Sequence, residues 1–173
     1  LQHDWHMSFY IGRAVTPQHL LEQWNALEAL GGNDVGYSSR IVLASQQAPH
    51  KTAELPDMQC WRQRLEQGQC AEVSRLVAAY ILPLAQEDRI DTAWLVRFRE
   101  ALLQVIYHGL HYHGIPVERI LQNQLEGADF QRSVSGVPLF LKWVDEILSR
   151  IGTFLESELP DTVVKRAQKY ILQ

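Results

Sequence analysis

Three of the seven histidines fall together in the run Tyr107-His108-Gly-Leu-His111-Tyr-His113. If that run is helical, His108 and His111 stand one turn apart and could share a metal ion or titrate together near the ordinary imidazole range. His113 would then point elsewhere. The spacing is not that of HExxH, and no second ligand group with zinc spacing accompanies it, so the preferred reading is solvated or core-edge histidines, with His108 and His111 as the metal candidates. Cys60 and Cys70 are the two cysteines; with no CxxC and no further thiol they are expected to be free. Glu87-Asp88 and Asp145-Glu146 are adjacent pairs, which splay on a helix instead of facing one another. Ser133, Ser135 and Ser149 lack the glycine frame of a nucleophile elbow, and there is no Walker loop. These patterns predict no catalytic group, no bound metal and no cofactor.

The charge balance points the same way. A formal net charge of -4 and a pI near 6.0 argue against a segment that grips a phosphate backbone itself. Lys165, Arg166 and Lys169 form a modest basic cluster, read as cations on a helix surface. With 46% hydrophobic and 21% charged residues the chain has the make-up of a globular protein, and its 173 residues suffice for one ordinary core or two small ones. The longest apolar run, Leu76 to Ala85, falls short of the roughly 18 residues of a membrane span and is broken by Pro83. Leu1-Gln-His-Asp-Trp5 lacks the basic start and apolar core of a signal peptide, and the missing initiator Met suggests an excerpt of a longer polypeptide. The expected compartment is the cytoplasm.

The elements that must position these residues are mainly helical. Residues 6–15 alternate, with Met7, Phe9, Ile11, Arg13 and Val15 on the more apolar face, which predicts a strand. Thr16 and Pro17 open a helix whose buried stripe is expected to be Leu20, Leu21, Trp24, Leu27 and Leu30, closed at a left-handed cap by Gly31-Gly32. A second strand is expected from about Val35 to Leu43. Residues 45–56 are polar and bounded by prolines, a linker.

Beyond it, Asp57 caps a helix with Trp61 and Leu65 inward and Gly68 at its end. Cys70 to Gln86 forms the next, and Asp91-Thr92 opens the longest, with Leu95, Phe98, Leu102, Val105 and Ile106 on its core face. Gly109 and Gly114 weaken its end, and a short helix with Pro116 in its first turn follows. A helix from Pro138 to about Glu156 should bury Leu139, Trp143, Ile147, Ile151, Phe154 and Leu155. Glu158-Leu-Pro-Asp161 then hands over to a separate terminal helix with the apolar stripe Val164, Ala167, Tyr170 and Ile171. Such a stripe on a terminal helix predicts further polypeptide to cover it. Of the five tryptophans, Trp24, Trp61, Trp94 and Trp143 are expected in the core and Trp5 at an interface.

The segment Ser8-Phe-Tyr-Ile-Gly-Arg-Ala-Val15, the helix Leu20 to Leu30 and Gly32-Asn-Asp-Val-Gly-Tyr37 together resemble the closing third of a degenerate GGDEF-like domain. Trp24-Asn25 departs from that pattern, and the signature hairpin with its carboxylates is not in the chain, so cyclase chemistry is not implied. The terminal run Val163-Val-Lys-Arg-Ala-Gln-Lys-Tyr-Ile171 resembles the opening helix of AraC/XylS-type DNA-binding domains, and the helices before it resemble the linker region of AraC-type two-component response regulators.

The resemblance implies a division into a partial GGDEF-like segment (1–44), a linker (45–56), a helical regulatory and dimerisation domain (57–160) and the start of a DNA-binding domain (161–173). It implies a homodimer that meets DNA through a C-terminal domain outside this chain, and a sensor histidine kinase acting on a receiver domain also outside it. The coupling residues would be Trp143, Ile147, Ile151, Phe154, Leu155, Val164, Ala167 and Tyr170. Two other readings stay open: an effector sensor with a pocket near Tyr80, Trp94 and Tyr107, and a metal-dependent hydrolase using the histidines at 108–113.

Overall fold

Alternation at 6–15 and the proline start at 17 produce the first two elements, and a second short strand completes a β-α-β unit. Strand β1 spans Ser8–Ile11 and a 3-10 turn, Pro17–His19, leads into α1, Leu20–Asn33; strand β2 is Arg40–Leu43. The helical body follows as α2 (Gln59–Glu66), α3 (Cys70–Gln86), α4 (Thr92–Tyr112), a helical turn at 117–120, α5 (Ala128–Arg132), a 3-10 turn (Ser133–Ser135) and α6 (Val137–Ile171). The computed structural model describes residues 7–35, 40–44, 52–120 and 127–171, with only the backbone from 158 onward. It is mainly helical with a small parallel two-stranded sheet at its N-terminal end, the fold class that the periodicities predict. No described helix is long and apolar enough to cross a membrane.

The helix ends follow from local sequence. Asp57 accepts a hydrogen bond from the Gln59 N–H ahead of α2, and Asp91 accepts one from the Trp94 N–H at the start of α4. Helices α2, α3 and α4 then close with one motif. The N–H of Gly68 donates to Leu65 O and that of Gln69 to Arg64 O; Asp88 and Arg89 repeat this onto Ala85 and Leu84, and Gly114 and Ile115 onto His111 and Leu110. The motif needs a left-handed residue, supplied at φ 73° by Gly68, 53° by Asp88 and 68° by Gly114. Gly114 therefore terminates α4 cleanly. Gly109 does not fray it: a Cβ there would stand 3.0 Å from Leu65 Cβ, so its absence lets α2 and α4 cross closely.

Packing corrects several sequence expectations. In α1, Leu20, Leu21 and Trp24 are 64–71% exposed: among the described residues the helix packs on β1, the preceding 3-10 turn and one edge of α4, and these leave that side open. Trp24 is accordingly not a core residue. The helix also runs through Gly31 and Gly32 to Asn33 without a left-handed cap. In α6 the buried residue near the start is Phe140, not Leu139, which is 47% exposed. At 100° per residue Leu139 lies roughly 120° from the centre of the face formed by Val137, Phe140, Val144, Ile147, Ile151 and Leu155.

Residues 52–56 are not a free linker. Ala53 is buried; its N–H donates to Arg89 O, its carbonyl accepts from Trp94 Nε1 at 2.8 Å, and Glu54 O accepts from the Tyr80 hydroxyl at 2.9 Å. The β-α-β unit is likewise tied to the body. Val35 is buried in the common core, its carbonyl accepts from Val137 N–H at 2.7 Å, and Thr92 Oγ1 donates to Gly32 O. Val35 is not in the strand, which begins at Arg40; residues 36–39 of the expected strand lie outside the described ones.

The most consequential difference is at the C-terminal end. The break expected between Glu156 and Asp161 is absent, and α6 continues as one helix of 35 residues through Pro160. Proline deletes one helical hydrogen bond while its fixed φ suits a helix, so it is not an obligatory stop; α3 carries Pro83 in the same way.

Candidate functional site

The histidine run of α4 meets the C-terminal end of α2. His108 Nε2 lies 2.9 Å from Glu66 Oε1, and His113 Nε2 lies 3.0 Å from Leu65 O. Two of the three rings thus fasten α4 to α2. His111 shares with His108, Tyr107, Gln104, Arg62 and Asp57 a surface groove of about 690 Å3. It offers a guanidinium, imidazoles and amides to solvent, with no serine or cysteine among its lining. Among the described residues no three His, Cys, Asp or Glu side chains stand where they could hold a metal together.

The effector pocket expected near Tyr80, Trp94 and Tyr107 is filled by the protein itself. Trp94 is fully buried and stacks on Phe98 at a centroid distance of 4.8 Å, and Tyr80 stacks on the same two rings at 6.3–6.4 Å. Trp61 and Phe140 approach Phe98 at 5.7 and 5.6 Å. The polar ends of Tyr80 and Trp94 are occupied by the 53–54 carbonyls, so these two aromatics form a closed cluster with satisfied hydrogen bonds. Tyr107 lies apart from it, in the histidine groove.

A buried cation escaped the sequence analysis. Arg99 is only 8% exposed, and no carboxylate pairs with it among the described residues. Its Nη1 donates to Phe130 O at 2.8 Å, and its guanidinium carbon lies 3.9 Å from the Phe130 ring centroid. Arg99 Nε and, separately, Trp143 Nε1 are buried without acceptors among the described residues. Burial pushes the Arg99 pKa down, partly opposed by Glu100. Its signal was present in the sequence: position 99 falls in the stripe Leu95, Leu102, Ile106, where a charge is out of place.

The cysteines are free, Cys60 exposed and Cys70 buried. Desolvation pushes the Cys70 thiol up to about 11, with the Glu156 carboxylate adding to the rise and a backbone hydrogen bond opposing it. At pH 8 only about one Cys70 in a thousand is then thiolate, so Ellman's reagent should titrate a single thiol rapidly in native protein and the second only after unfolding. Two rapid thiols would contradict this burial. Since the folded value is above the ordinary 9.0, this thiol's contribution to stability is complete below pH 9 and is lost as the pH rises through 11.

Of the coupling residues, Trp143, Ile147, Ile151 and Leu155 are buried in the body and Phe154 is half-buried against it. Val164, Ala167 and Tyr170 lie on the same helix, where side chains are outside the described residues, as is all of Trp5. Comparison with protein-family models, curated proteins and solved structures finds no match for this chain.

Proposed function

We propose that this chain is the non-catalytic coupling segment of an AraC-type transcription regulator of the two-component kind, working in the cytoplasm. It would relay a signal received by an N-terminal input domain, phosphorylated by a sensor histidine kinase, to a C-terminal helix-turn-helix domain. Association of two copies would set the spacing of the DNA-binding heads.

The observation that carries this reading is the continuity of α6. Its first half, Val137 to Leu155, is built into the core, and its backbone passes without a break into the AraC-like run 163–171. A helix transmits rotation and displacement along its axis, because its backbone hydrogen bonds hold successive residues at fixed angles. A shift of the body would therefore reach the output end as a shift of that segment.

Insertions after Ser157 in the intact regulator test the proposal, read with a promoter reporter. Two residues turn the output by about 200° and should abolish signal-dependent transcription while leaving DNA binding intact; seven restore the phase to within about 20° and should preserve the response. Equal responses from both insertions would exclude coupling through this helix.

A further inference from the structure

We propose that the turn Gly32–Val35 is a releasable latch, through which a displacement of the N-terminal β-α-β unit is passed to the start of α6. The proposal rests on the coupling role given to α6 above and supplies its input end.

The unit is anchored at one place. Among its described side chains, in 7–35 and 40–44, Val35 alone is buried. Helix α1 leaves Leu20, Leu21 and Trp24 open, and the sheet leaves Phe9, Ile11, Ile41 and Leu43 37–69% exposed. The turn, by contrast, joins three elements within four residues. Gly32 O accepts from Thr92 Oγ1 at the first residue of α4, the Asp34 carboxylate accepts from the Tyr10 hydroxyl of β1, and Val35 O accepts from the N–H of Val137, the first residue of α6. Asp34 and Val35 share a planar peptide that fixes the distance between them, so a pull on β1 loads the bond to α6 directly.

The start of α6 is shaped for this contact. The N–H of a helix's first residue has no acceptor within the helix, so Val35 O supplies what Val137 lacks. A Cβ on the buried Gly136 would lie 3.0 Å from Val35 O, while its φ of 175° is extended backbone open to any residue. The glycine is therefore needed for the close approach and not for its backbone shape. Among the described residues the joint consists of one buried side chain and two hydrogen bonds to the body, whereas α6 buries eight apolar side chains between Val137 and Leu155. A joint of that size opens at much lower cost than the helix it holds.

Amide hydrogen exchange on the chain 1–173, resolved by residue, tests the latch. The Val137 N–H should exchange at least about 10-fold more slowly than an unstructured amide, because Val35 O holds it. It should also exchange at least about 100-fold faster than that of Leu148 in the middle of α6, because the latch opens while the helix stays folded. Gly136→Val should bring Val137 to the unstructured rate with helical circular dichroism kept, and Gly32→Ala, whose Cβ would meet nothing within 4 Å, should leave it unchanged. In the intact regulator, Gly136→Val should cut signal-dependent transcription by at least about 10-fold with DNA binding kept. If that variant fails to fold, Val35→Ser, which removes the buried anchor, takes its place in both measurements. In the unmodified chain, exchange at Val137 as slow as at Leu148 would show a fixed contact, and exchange at the unstructured rate would show no contact; either result overturns the latch. A latch that opens as expected, with the full transcriptional response kept by the variant, overturns its part in signalling, while the insertions after Ser157 judge α6 separately.

Discussion

Phe98→Ala should lower the free energy of unfolding by about 4 kcal/mol, within the range for removing a buried aromatic side chain. Phe98 is fully buried and is the ring on which the body converges. Trp94 and Tyr80 lie parallel to it, Trp61 meets it edge-on and Phe140 packs at a tilt. Truncation removes the transfer free energy of the ring and leaves a cavity walled by stiff aromatics, two of them anchored through hydrogen bonds to the 53–54 backbone. That wall cannot collapse inward without breaking those bonds, so the cavity should persist and the loss should not fall to the low end of the range. For a domain stable by roughly 5–15 kcal/mol, such a loss is a large fraction of the total. Urea unfolding followed by tryptophan fluorescence and circular dichroism measures it, with Phe98→Leu as the milder control. A shift below 1 kcal/mol would show that the cluster is not tightly packed.

Arg99 should separate packing from charge. Arg99→Ala is expected to destabilise the chain by about 3 kcal/mol, since it empties the volume of a long buried stem against the Phe130 ring. Arg99→Met retains most of that volume and removes a guanidinium that has no carboxylate partner among the described residues. Replacing a desolvated charge by an apolar side chain of similar length is often neutral or favourable, so Arg99→Met should fall within about 1 kcal/mol of the native chain or above it. The Phe130 carbonyl is not orphaned by the exchange, because the Ser133 hydroxyl also donates to it at 2.7 Å. Equal losses for Ala and Met, measured by the same urea titration, would mean that the guanidinium's bond and ring contact hold α5 against α4.

What could be read from the chain was whatever neighbouring residues settle among themselves. Asp57, Asp91 and Gly68 mark helix ends because their side chain, or its absence, acts on backbone groups one to four positions away. The limits of the helix at 70–86 and the start of the next after Asp91 follow for the same reason. The histidine run could be found by type and spacing, but not its attachment to Glu66 and Leu65, which lie more than 40 positions away.

Periodicity marked the apolar stripes without saying what covers each one. Leu20, Leu21 and Trp24 have the spacing of a buried face and lie open, whereas Arg99 carries a charge and lies inside. The Ala53 carbonyl looks like linker backbone until the tertiary structure brings Trp94 to it. Hydrogen bonding and side-chain spacing along a helix are short-range properties and are written locally. Coverage depends on surfaces brought together from distant parts of the polypeptide, so the burial of Arg99, the exposure of α1 and the open sheet face were decided only when the helices packed.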